Sequence, residues 1–93
     1  MANRRILKRD INYLLGDVIE ECYSEMLNKP EKNEKEINTI IDEAVDLADN
    51  LMARVNNLKS IKNRKDMKAH FHQISEDLEA KTKSFVKKLN ALS

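Results

Sequence analysis

Few residues in this chain could do chemistry, and their spacing decides what remains open. His70 and His72 stand two positions apart. On a helix such a pair points about 160° apart, so the two imidazoles cannot close on one metal ion as an i, i+4 pair can. His70 is expected to flank a core seam and His72 to face solvent. Cys22 is the only cysteine, which removes an intramolecular disulfide and any zinc site built on several thiols. It falls between Val18 and Met26 on an apolar stripe, the setting of a buried, inert thiol.

The acids are as unpromising. Asp42, Asp46 and Asp49 form one strip, and Glu20, Glu21 and Glu25 another. A carboxylate metal centre in a bundle needs inward-facing acids with Glu-x-x-His pairs. None occurs, so both strips are expected to be solvated. No serine, histidine and acid stand at a triad-like spacing. The chain is therefore expected to be non-enzymatic, with no catalytic, cofactor-binding or metal-binding residue, no cofactor and no evident small-molecule substrate.

Charge is distributed more unevenly than the formal net of +1 suggests. Residues 1–10 carry four basic side chains against Asp10, and residues 54–70 carry six against Asp66. Residues 11–53 carry three lysines against eleven acids.

Composition and periodicity say what positions these charges. Ninety-three residues suit one domain, 1–93, with a modest core. Glycine and proline occur once each, which points to long uninterrupted helices. In the first segment Leu7, Ile11, Leu14, Leu15, Val18, Cys22 and Met26 recur at steps of three and four, widened by Ile19 and Tyr23. In the second, Ile37, Ile40, Ile41, Ala44, Val45, Leu47, Ala48, Leu51, Met52, Val55 and Leu58 make a stripe about 160° wide. The third has Met67, Phe71, Ile74, Leu78, Thr82, Phe85, Leu89 and Leu92, a narrower coiled-coil-like seam with one irregular step at Thr82.

These stripes predict helices over about 4–28, 34–60 and 64–92. Asn3 is a candidate N-cap for the first. Pro30 ends it, and Lys29, preceding proline, leaves the helical region. Asn33 with Glu36, and Asn63 with Asp66, have the spacing of a capping box. Gly16, inside the first helix, costs up to about 1 kcal/mol against alanine. It either admits a close helix, from the bundle or a second copy, or is a tolerated surface glycine.

Links this short make neighbours antiparallel. The expected fold is all-α, an up-down-up three-helix bundle with coiled-coil-like packing. That topology gathers Arg4, Arg5, Lys8, Arg9, Lys62, Arg64, Lys65 and Lys68 at one pole, beside two helix N-termini. Basic groups there oppose the macrodipole. The pole is a candidate contact for phosphate or another polyanion, as in nucleic acid or an anionic protein surface; a nucleic-acid contact would be to the backbone, because no aromatic interleaves for base stacking.

A second candidate surface is the apolar edge that exceeds what a three-helix core requires: Ile19, Tyr23 and Leu27 on one helix, Leu47 and Met52 on the next. It suits a protein partner or a second copy of the chain. No apolar run reaches the roughly 18 residues of a membrane span, and no secretory leader pattern follows the basic start. No membrane association and a reducing, cytoplasmic setting are expected.

The opening Met1-Ala2-Asn3-Arg4-Arg5-Ile6-Leu7-Lys8-Arg9-Asp10-Ile11-Asn12-Tyr13, followed by Glu20-Glu21-Cys22, resembles a family of small uncharacterised all-helical bacterial proteins. The resemblance is strongest over the first helix. It implies a bacterial cytoplasmic three-helix protein and carries over no functional residue.

Overall fold

A computed structural model describes residues 4–28, 33–59 and 61–92. They form three helices: α1, Arg4–Asn28; α2, Glu34–Asn56; α3, Arg64–Leu92. The helices contact one another in every pairing, α1 and α2 most extensively, and no strand occurs among the described residues. The all-α three-helix bundle expected from periodicity is the fold.

The molecule measures 51 × 19 × 16 Å. At 1.5 Å of rise per residue, α3 alone is about 43 Å long, so the helices run along the long axis. Two contacts set their directions. Arg4 Nη2 donates to Asn56 Oδ1 at 3.3 Å, joining the start of α1 to the end of α2. Asn33 Nδ2 donates to the Leu92 carbonyl at 2.7 Å, joining the start of α2 to the end of α3. The order is up, down, up.

The core is the intersection of the three stripes. Leu7, Ile11, Leu15, Val18 and Cys22 of α1 are buried with Ile37, Ile40, Ala44, Leu51 and Val55 of α2 and with Phe71, Ile74, Leu78, Phe85 and Leu89 of α3. No polar side chain is buried among them. The irregular step at Thr82 is accommodated locally: its Oγ1 donates to the Leu78 carbonyl at 2.7 Å, so the half-buried hydroxyl is satisfied within its own helix.

The structure departs from the sequence reading at several points. α2 ends at Asn56, not near 60, because Asn57 turns extended, with φ −89° and ψ 92°. Leu58 still packs against the core, from the link rather than from a helix. Asn33 holds the N-cap position of α2, its carbonyl accepting from the Ile37 N–H at 2.9 Å, but it sits in the left-handed region at φ 59° and makes no side-chain cap. Asn63 does cap α3, its Oδ1 accepting from the Asp66 N–H at 2.8 Å. There Asp66 accepts from the Asn63 side-chain amide at 3.2 Å, where the standard box uses the N-cap backbone. Asn3, Lys29 and Pro30 lie outside the described residues.

Candidate functional site

Cys22 is fully buried, and its thiol is held above the ordinary value, chiefly by burial and then by the charge of Glu21. The neutral thiol is the weaker nucleophile, so this position is a packing residue. His70 is half-buried against the core, its Nε2 donating to the Arg54 carbonyl at 2.7 Å. His72 is exposed and lies 3.0 Å from Glu76 one turn on. Asp42, Asp46, Asp49, Glu20 and Glu21 are exposed, and Glu25 is half-buried. Among the described residues no group of three His, Cys, Asp or Glu side chains is placed to hold a metal ion.

Open grooves lie between the helices. One of about 270 Å³ lies between α1 and α3, floored by Leu14, Val18, Val86 and Leu89 and rimmed by Asp17 and Glu21. Another, of about 450 Å³, lies between α2 and α3, where Lys88 Nζ reaches Glu43 Oε2 at 3.4 Å across the opening.

The basic end takes shape from the Arg4–Asn56 contact, which sets the start of α1 beside the link into α3. Arg4, Arg5, Arg9, Lys62, Arg64, Lys65 and Lys68 are exposed there, and Lys8 is half-buried. They do not form one face. At about 100° per residue, Arg5 and Arg9 look outward from α1, while Arg4 points over the bundle end toward α2. The cations ring the pole. Arg9 is also drawn to its neighbour Asp10, at 3.6 Å.

The apolar edge divides. Ile19, Leu47 and Met52 are half-buried and pack against the core. Tyr23 and Leu27 do not: they are 53% and 80% exposed. Their companion is Tyr13, 67% exposed, which the sequence reading did not single out. Gly16 lies between. A Cβ built there meets no atom within 4 Å, so the described bundle makes no use of the glycine for close approach.

Arg9, Tyr13, Gly16, Glu20, Tyr23 and Leu27 recur at steps of four, three, four, three and four. That is heptad spacing. On the helical wheel it centres about 160° from the core stripe. α1 therefore carries two seams, one spent on the bundle and one facing solvent. Both tyrosines of the chain lie on the second. Its signal is present in the sequence, but the stronger aliphatic stripe masks it.

No family model, curated protein or solved structure matches the chain. The resemblance of the first helix to small bacterial proteins draws no support from these comparisons. Among the described residues, no helix is long and apolar enough to cross a membrane.

Proposed function

We propose that this chain is a non-enzymatic helical module that docks the outward face of α1 on a protein surface. One observation carries the reading: Tyr13, Tyr23 and Leu27 stand exposed on a heptad-spaced stripe that the bundle leaves uncovered. Exposed aromatic and leucine side chains at coiled-coil spacing offer a partner helix both apolar area and register. A single buried cysteine suits a reducing compartment, and a cytoplasmic setting goes with the proposal.

Capture from native lysate tests it. Wild-type chain and a Tyr23→Glu, Leu27→Glu variant are compared as baits, with and without nuclease. The expected result is a protein partner that survives nuclease and is lost with the variant. An identical partner set on both baits overturns the reading.

A second reading keeps the basic end as a contact for phosphate-bearing partners such as nucleic acid. What favours it is the Arg4–Asn56 contact, which holds two cationic segments together. Such binding would be to backbone phosphate, each contact steepening the salt dependence by roughly 0.9 in log–log slope. Retention on DNA at low salt, falling steeply with added salt, supports it. No retention at low salt removes it.

A further inference from the structure

We infer that the groove between α1 and α3 seats a short amphipathic helix of another protein, one with lysine or arginine along the edge that lies on α1. The site is separate from the outward face of α1 and does not depend on it.

The two grooves beside α3 are finished differently. The one toward α2 is bridged at two levels, by Arg54 with Asp77 at 2.8 Å and by Lys88 with Glu43 at 3.4 Å. Toward α1, no ion pair joins the walls among the described residues. Asp17 and Glu21 rim the α1 side. Lys83 and Lys87 stand farther out on α3, beside Thr82, Val86 and Asn90, which line both the groove and the hollow next to it. All four charged residues are exposed. The walls therefore carry opposite signs without closing on each other.

The floor is apolar. Val18 and Leu89 are buried at its base, while Leu14 and Val86, one from each helix, remain exposed. Thr82 spends its hydroxyl proton on the Leu78 carbonyl, so it asks no acceptor of an occupant.

That combination selects the occupant. A helix laid along the groove covers Leu14 and Val86 with its own apolar stripe. Its two edges then meet the walls. A basic edge finds Asp17 and Glu21 four residues apart, the spacing at which its own i and i+4 side chains repeat. The opposite edge faces the lysines and takes acids. Reversing the helix sets its basic edge toward the lysines, so charge fixes the direction of docking. One turn before, Asp10 on α1 and Glu79 on α3 are both acidic, which confines the opposed charge to the stretch from Leu14 to Glu21. That stretch is about 10 Å long, two helical turns. A contact of this size falls at the low end for specific interfaces, and the complex is transient.

Two stapled helical peptides of equal composition test the seat. Both carry a leucine stripe. The first has lysine along one edge and glutamate along the other; the second alternates the two on both edges. Each is titrated into the full chain at low salt and followed by amide NMR. The first should bind and move Leu14, Asp17, Glu21 and Val86, leaving Tyr23 and Leu27 fixed. The second should bind about tenfold more weakly, and Asp17→Lys with Glu21→Lys should weaken the first by about as much. Val86→Glu, which sets a charge on the floor, should also weaken it. All three positions are exposed, and circular dichroism checks that the variants fold. No shift from either peptide at millimolar concentration overturns the seat. Equal affinity for both peptides, or full affinity in the Asp17→Lys, Glu21→Lys variant, overturns the basic-edged occupant. Shifts gathered on Tyr13, Tyr23 and Leu27 overturn the groove in favour of the outward face. Shifts at Leu14 and Val86 that grow with chain concentration alone make the occupant a second copy and overturn the partner helix.

Discussion

Arg54 Nη1 donates to Asp77 Oδ2 at 2.8 Å, tying α2 to α3 near the basic end. The same arginine accepts the His70 ring N–H at its carbonyl, 2.7 Å away. Gln73 donates to the other carboxylate oxygen of Asp77 at 3.0 Å. These bonds hold the Asp77 carboxyl below its ordinary value, the Arg54 bond contributing most.

A pH effect follows from that contact. A folded-state value below the unfolded one means stability that is present above about pH 4 and is lost as pH falls through the folded value. Both side chains are about a third exposed, so solvent screening keeps the effect below about 1 kcal/mol. Acid unfolding followed by circular dichroism should show a shallower loss of stability in Asp77→Asn than in wild type. Superimposable acid transitions would mean that the pair contributes nothing.

Gly16→Ala should stabilise the monomer by about 0.5–1 kcal/mol. The glycine is mid-helix, and its Cβ position is open, so the gain in helix propensity comes without a clash. Urea unfolding at low protein concentration measures it. A destabilised variant would reveal a close neighbour.

Two asparagines with the same local signal should respond differently. Asn63→Ala removes a formed cap and should cost about 1 kcal/mol. Asn33→Gly relieves a residue held at φ 59° but gives up the bond to Leu92, so the two effects oppose. Thermal melts of both variants check this, with the larger loss expected at Asn63.

Cys22 should resist thiol reagents at neutral pH in the native state and react at once in denaturant. Its burial and raised thiol value both disfavour the thiolate. Fast labelling of folded protein would contradict the packing. Within the same core, Leu51→Ala should cost roughly 2–5 kcal/mol, because Leu51 is fully buried.

These residues also show what was legible from sequence. The aliphatic stripes named the core of each helix, because burial follows the helical period so closely in narrow bundles. The step at Thr82 was visible as an irregularity, and its hydroxyl bond is a local consequence. Asn33 was not legible: its partner, the Leu92 carbonyl, lies at the far end of the chain, and no local pattern announces it. The end of α2 is not legible because Leu58 keeps the apolar pattern after the helix stops. Its side chain reaches the core by a different backbone path. The edge of Ile19, Leu47 and Met52 looked surplus because a wheel gives direction without depth, and the three helices close over it. Tyr13 escapes hydrophobic periodicity because its stripe mixes tyrosine, arginine and glutamate.

The outward seam of α1 is the central claim, and amide NMR spectra of the labelled chain titrated with the partner captured from lysate test it most directly. On binding, shifts should move at Arg9, Tyr13, Gly16, Glu20, Tyr23 and Leu27. Lys83 and Lys87, exposed on the outer face of α3, should stay fixed. Changes gathered on α3 or on Lys62, Arg64 and Lys65, with the α1 residues unmoved, would contradict it.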